Sequence, residues 1–392
     1  MGHIQNAKSS LVPLIDRLNQ YPVGLVDNDI LREILSILFS EQEAFVASRF
    51  PLIEATLDEI SNLTIIPETE LLPILDSMAD KGLIMDMPYG DTTYYLLMPG
   101  LIGFIEFTFM KRRSDIPMKQ LAKLLEAYFN SDIKNGQYKE FFGSKTQLTR
   151  SLVFDDAIPV TSVITDYESA RKIVEHADFS AVSTCHCRHV KEHEGIACKK
   201  GAPVDGICIS LGTGARFLAR RGFAEAKTTA ELLDVIELAR SLRLTHITDN
   251  IRHRPTFICN CCGCCCGILA GVQAGYFDGV AKSSYIAVID PDMCDYCGAC
   301  FTACNVKAIR PAKSNGKAMR KALVSEQVCL GCGACISACP NNAISMIPRS
   351  DYVIPPRTKK RMFVQMLWEK KRLWPFVREI AGKRIRKVIP WI

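Results

Sequence analysis

The residues Cys294-Asp-Tyr-Cys297-Gly-Ala-Cys300-Phe-Thr-Ala-Cys304 and Cys329-Leu-Gly-Cys332-Gly-Ala-Cys335-Ile-Ser-Ala-Cys339-Pro340 decide how the C-terminal half of this chain is read. Each run places three cysteines on one tight loop and a fourth three residues beyond it. The second run repeats the first about 35 residues later, and Cys304-Asn-Val-Lys-Ala-Ile is echoed by Cys339-Pro-Asn-Asn-Ala-Ile. Such an echo marks two half-domains related by duplication. Structural zinc favours two well-separated C-x2-C pairs, not three consecutive thiolates and a fourth. A disulfide framework needs cysteines to meet in single pairs, which the contiguous Cys261-Cys262 and Cys264-Cys265-Cys266 make awkward.

The spacing resembles that of a bacterial-type two-[4Fe–4S], or dicluster, ferredoxin domain. In that pattern each run gives three thiolates to one cube and its fourth to the other. The resemblance implies one cluster on Cys294, Cys297, Cys300 and Cys339, and a second on Cys329, Cys332, Cys335 and Cys304. It also implies one-electron chemistry at low potential. One departure is Asn305, where the pattern carries proline. Loss of that rigid turn predicts a less tightly enclosed second cluster.

Eighteen cysteines occur among 392 residues. No apolar leader precedes residue 26, so the chain reads as a cytoplasmic protein of a reducing, anaerobic interior. The most apolar stretch, residues 101–110, is short and contains Glu106, so no transmembrane segment is expected. The net charge of +6 is segregated. From Arg357 onward there are twelve Lys or Arg and two Glu, a net of +10 that leaves −4 for the rest. Asp58 to Asp86 holds seven acids against Lys81 alone. This asymmetry points to two distinct contact surfaces.

The fold class expected is α+β multidomain. Residues 1–26 form an N-terminal segment and 27–100 a winged-helix-like domain. Residues 101–180 form a connecting helical region and 181–284 a helical, cysteine-rich, metal-binding region. A ferredoxin-like dicluster domain over 285–348 and a basic amphipathic tail over 349–392 complete the chain. In the second of these, Asp27-Asn-Asp caps one helix, residues 55–63 make another, and Pro67-Glu-Thr-Glu opens a third. A hairpin over 83–97 follows. A winged helix commonly reads DNA, but here the third helix carries Glu68, Glu70, Asp76 and Asp80. That surface repels phosphate, so DNA is not the expected partner and protein docking is favoured.

The central field contains Cys185-His-Cys187-Arg188-His189, Cys198, Cys208 and Cys259-Asn-Cys261-Cys262-Gly-Cys264-Cys265-Cys266. A free thiol packs as a small hydrophobe, so packing alone does not account for ten of them. Thiolate ligation of iron–sulfur or zinc does. The cysteines can hold one cube with spares, two cubes or one larger cluster, and His186, His189 and His193 are further candidates. Cys187, Cys198 and Cys208 stand out because each is isolated, followed by Cys259, Cys261 and Cys262. A helix from Thr228-Thr229 to about Ala239 would bring the two cysteine segments to the ends of a helical hairpin.

A C-x-C-R segment, spaced cysteines and C-N-C-C-x-C-C-C ahead of a dicluster module resemble a group of iron–sulfur proteins of anaerobic bacteria and archaea. The likeness runs from Cys185 to Cys339 and implies further cluster binding and anaerobic electron transfer. Cys261-Cys262-Gly263 is also similar to the CCG motif of heterodisulfide reductase-like subunits, although the distant C-x2-C that completes such a motif is missing.

The tail gathers Trp368, Trp374 and Trp391 among three basic clusters. Such a helix can lie peripherally on a membrane, clamp an acidic partner, or fold back onto the acidic N-terminal domain. The favoured function is an electron-transfer subunit relaying electrons between redox partner proteins, rather than a stand-alone enzyme. No nucleotide-binding glycine fingerprint supplies an internal electron source. The alternative is an oxidoreductase whose central cluster and thiols reduce a disulfide or thioester-type substrate. A third reading is a redox-sensing winged-helix regulator.

Overall fold

The computed structural model describes residues 11–158, 164–314 and 317–388. The segment through residue 10, Trp391 and the side chains of the basic run 383–387 lie outside the described residues. The chain divides into two compact units. One comprises residues up to 145 with 220–223 and 363–392; the other comprises 146–219 and 224–362.

In the first unit, Asn28 caps helix Asp29–Leu38 by accepting the Leu31 N–H at 2.8 Å. Its apolar stripe buries Leu31, Ile34, Leu35 and Leu38, the periodicity of a half-buried helix. Helix Glu41–Arg49 follows, opened by a reciprocal capping box between Ser40 and Glu43. Helices Leu57–Thr64 and Glu68–Asp80 come next, and the second closes at Lys81. Strands β1 (Ile84–Tyr89) and β2 (Thr92–Leu97) form an antiparallel hairpin. An isolated bridge between Ala55 and Tyr95 ties this hairpin to the chain before the third of these helices.

Acids and bases in this unit largely find each other. Arg221 pairs with Asp86 at 2.8 Å, Asp80 at 2.9 Å and Asp76 at 3.0 Å, while Arg220 reaches Asp86 at 2.8 Å. In the tail, Glu140 receives Lys370 at 2.9 Å and Arg372 at 2.6 Å, and Glu379 receives Arg17 at 2.9 Å. Of the three tail arrangements expected, the described residues show the tail meeting its own unit, through Glu140 and Arg17, both outside the acidic 58–86 stretch. Trp368 and Trp374 remain 72% and 75% exposed. Among the described residues no helix is long and apolar enough to cross a membrane.

The second unit corrects the expectation of a helical cysteine region. Seven short strands form one sheet: β3 (Thr149–Ser151), β4 (Ser180–Ser183), β5 (Cys208–Leu211), β6 (Ala224–Ala226), β7 (Thr245–Asp249), β8 (Phe257–Cys261) and β9 (Val280–Ala281). Their order is β6-β4-β5-β8-β7-β3-β9, antiparallel except where β3 meets β9. The cysteine segments therefore meet on neighbouring strands, β5 and β8, instead of at helix ends. The expected helix does form, as Thr229–Ser241 with a Thr228–Glu231 capping box. It packs Leu232 and Ile236 against Val182, Ile209 and Ile258 of the sheet.

The dicluster segment is built on two hairpin-like pairs. Strand β10 (Tyr285–Ile289) runs antiparallel to β13 (Ile344–Pro348), and β11 (Ile309–Ser314) to β12 (Lys317–Val324). It joins the rest of its unit by buried polar contacts. Arg150 and Glu168, 0% and 2% exposed, pair at 2.9 Å. Glu168 also accepts the Ser284 N–H at 2.8 Å and the Ser284 hydroxyl at 2.7 Å. The Phe154 N–H donates to the Cys332 carbonyl at 3.1 Å.

Candidate metal centres

The eight cysteines of the two matched runs gather into two groups of four, each drawing its fourth member from the other run. Cys294, Cys297, Cys300 and Cys339 line one cavity together with Ile289, Phe301 and Ile344. Cys304 lies among Cys329, Cys332 and Cys335, each within electrostatic reach of it. The duplication is visible in the bonding: Ala308 N–H donates to Cys304 Sγ at 3.2 Å, and Ala343 N–H to Cys339 Sγ at 3.3 Å. Backbone donors to sulfur favour the thiolate that a cluster requires. Burial works the other way, pushing the Cys332 thiol up to about 11. Gly331, at φ +72°, lies so close to strand β10 that a Cβ would meet the Tyr285 carbonyl oxygen at 2.0 Å. Four convergent thiols, apolar walls and aligned amides fit a bound cube.

Residues 287–346 match the family model described as a 4Fe-4S dicluster domain. No curated protein matches the chain. The match supports an iron–sulfur reading of the dicluster segment, in keeping with the gathering of its thiols.

The ten central cysteines separate into a four and a six. The four are Cys198, Cys262, Cys264 and Cys265, whose sulfurs all lie within 4.8 Å of one another. Sγ–Sγ distances are 3.5 Å for Cys198–Cys262, 3.8 Å for Cys198–Cys264 and 3.7 Å for Cys264–Cys265. Interaction with the Cys265 thiol brings Cys262 down to about 4, against burial and with help from Arg188.

The six form a chain of thiol contacts, from Cys185 to Cys208, Cys259, Cys261, Cys266 and Cys187. Contact with Cys187 and Cys261, then the amides of Leu269 and Ile268, outweigh burial and hold the Cys266 thiol well below its ordinary range. Contacts with Cys208 and Cys261 likewise bring Cys259 down to about 6. The four-sulfur group includes none of His186, His189 and His193, and the rings of His189 and His193 meet at 4.8 Å, tilted by 33°.

Arg188, the arginine of the C-x-C-R segment, and two residues that the sequence does not single out, Lys200 and Thr245, connect these groups. Arg188 is 2% exposed, and its Nη2 donates to the Asn260 carbonyl at 2.8 Å. Burial disfavours its charge, but Cys185, Cys262, Cys198 and Cys208 more than offset that and keep the guanidinium ionised. It thus faces members of both central groups. Lys200 Nζ donates to the Ala303 carbonyl at 3.0 Å and the Arg243 carbonyl at 2.7 Å. Burial lowers its pKa, opposed by Cys332, Cys262, Cys304 and Cys264. Thr245 Oγ1 donates to Cys332 Sγ at 3.6 Å.

Asn305 corrects the expectation of a loosened cluster. It is 3% exposed, and its Oδ1 accepts the Gly263 N–H at 3.1 Å. Its Nδ2 donates to the Arg243 carbonyl at 2.8 Å and to Thr245 Oγ1 at 2.9 Å. Gln273 Nε2 clamps the same place, donating to the carbonyls of Gly263 and Asn305, both at 2.9 Å. Proline would pre-set this turn but could make none of the side-chain bonds. The amide side chain fastens the turn after Cys304 to the cysteine loop instead. Gly263 permits the approach, since a Cβ there would meet the Asn305 carbonyl oxygen at 2.3 Å.

Proposed function

We propose that this protein is a multi-cluster iron–sulfur electron-transfer protein, relaying low-potential electrons between partner oxidoreductases. The observation that carries the reading is the joint between the dicluster segment and the central thiols. Cys304 and Cys332 of the second cube site share Lys200, Thr245 and Asn305 with the cysteine loop whose ends, Cys261 and Cys266, belong to the six-thiol group; Thr245 itself pairs in register with Cys261 while its hydroxyl reaches Cys332. A separate storage cluster needs no such joint, whereas a relay needs its carriers close and rigidly spaced. In this reading the two matched runs hold the two cubes, and the six-thiol group holds a further iron–sulfur cluster. When bound, these clusters supply reversible one-electron transfer. The chain's own residues enclose them, compensate their charge through Arg188 and Lys200, and fix their spacing.

The first unit, in this account, is a winged-helix-like docking module. Its support is the order of helices and hairpin and the Ala55–Tyr95 bridge. Glu68 and Glu70 stay exposed on helix Glu68–Asp80, and Arg221 is consumed by Asp76 and Asp80. That charge pattern favours a protein partner over nucleic acid. A cytoplasmic, anaerobic setting follows from the thiol content.

One observation supports the oxidoreductase alternative. Six thiols exceed the four that a cube takes, and the remaining pair could exchange with a disulfide. Anaerobic alkylation of the cluster-loaded protein distinguishes the two. The relay reading expects no thiol of the six to react and electron transfer from reduced protein to a viologen acceptor to persist. Rapid labelling of two of the six, with loss of disulfide reduction but not of cluster signals, favours the alternative.

A further inference from the structure

The four-thiol group differs in kind from the other sulfur sites of the same unit. We propose that Cys198, Cys262, Cys264 and Cys265 bind a single tetrahedral zinc ion and not an iron–sulfur cluster.

The first argument is size. Four thiolates around one zinc at about 2.3 Å form a tetrahedron with edges of about 3.8 Å. The sulfurs here lie 3.5, 3.7 and 3.8 Å apart where they touch, and none exceeds 4.8 Å from another. A cube spreads its four thiolates over four separate irons, so its ligands stand wider apart. The dicluster runs show that contrast internally. Among the described residues, neither of their sulfur quartets closes to this spacing.

Spacing in sequence agrees. Cys262 and Cys265 form a C-x2-C pair, the usual half of a structural zinc site. Cys198 arrives from a distant loop to close the shell, and Cys264 fills the fourth corner. The Lys199 amide hydrogen-bonds the Cys264 sulfur. Charge agrees as well. Four thiolates and one Zn2+ carry a net charge of −2, and two cations face the group: Arg188 toward Cys262 and Cys198, Lys200 toward Cys262 and Cys264.

Zinc is chosen over a single iron because a given sulfur site binds Zn2+ more tightly than Fe2+ in the divalent series. The ion would be redox-silent. Its role would be to clamp the 198 loop to the cysteine loop that also holds Asn305. The inference does not depend on the electron-transfer reading, since a structural zinc would serve an enzyme equally well.

The test is metal analysis of the full-length protein purified anaerobically from medium supplied with both iron and zinc. About one zinc per chain is expected, with zinc-edge X-ray absorption showing four sulfurs near 2.3 Å. Cys198→Ser should bind zinc at least tenfold more weakly while the EPR signals of the dithionite-reduced cubes persist. Zinc below a fifth of an equivalent in the wild type overturns the proposal, as does iron in this group or zinc left unchanged by Cys198→Ser. The absorption measurement needs no variant, so a poorly folding Cys198→Ser does not shield the proposal.

Discussion

Replacing Asn305 by proline separates two accounts of the turn after Cys304. If asparagine is merely a missing proline, Asn305→Pro should stabilise by about 0.4–1 kcal/mol through the unfolded chain. The structure predicts the opposite sign. The substitution removes three side-chain hydrogen bonds, to Gly263 N–H, the Arg243 carbonyl and Thr245 Oγ1. Each is worth about 1 kcal/mol net, and a buried N–H left without a partner costs about 1–3 kcal/mol. Counting the three lost bonds alone, the net loss after the gain from proline is about 2–3 kcal/mol, roughly a 30- to 150-fold shift in a local opening equilibrium, and the stranded N–H adds to it. The assay is anaerobic bleaching of cluster absorbance by a chelator, which samples that opening. Asn305→Pro and Asn305→Ala should both bleach at least tenfold faster than wild type. A proline variant that bleaches as slowly as wild type, or more slowly, refutes the reasoning.

Glu168→Ala should abolish or severely weaken folding of the second unit. It strands Arg150, which is wholly buried, and breaking a buried pair this way costs about 3–5 kcal/mol; a denaturation midpoint equal to wild type would contradict it. Gly263→Ala drives a Cβ into the Asn305 carbonyl oxygen. Overpacking of this kind costs about 1–3 kcal/mol, and altered EPR of the second cube alone is the expected signature. Burial pushes the Glu106 carboxyl up to about 7, against the hydrogen bond it accepts from Gly103 N–H. A raised folded value means that the fold holds a proton the unfolded chain has released. This contribution is full below the ordinary carboxylate range and is lost as pH rises through about 7. Relative to Glu106→Gln, wild-type stability should fall by about 1.4 kcal/mol per pH unit between pH 5.5 and 7, then level off. A flat difference across that window would contradict the assignment.

The dicluster segment was legible in the sequence because its ligand loops are local: three sulfurs within seven residues leave the chain few ways to fold around a cube. The division of the central cysteines was not. Cys198 joins Cys262 across 64 residues, and nothing in the spacing separates Cys265, of the four, from Cys266, of the six. The central sheet was missed for a different reason. Every residue of Thr245-His-Ile-Thr-Asp249 is buried, so the strand lacks the in–out alternation that betrays a half-exposed one. The helix Glu41–Arg49 was overlooked although Ser40-x-x-Glu43 is a readable capping box. The role of Asn305 was signalled by its departure from the proline pattern. Its partners, Gly263 and Thr245, lie about 40 and 60 residues away, and only the fold brings them to it.

Iron and acid-labile sulfide per chain, measured on anaerobically purified protein alongside EPR after dithionite reduction, test the central claim most directly. The account predicts about twelve irons and twelve sulfides, three cubes' worth, with interacting reduced-cluster signals. About eight irons, the content of the dicluster segment alone, would leave the six-thiol group without a cluster and contradict the relay.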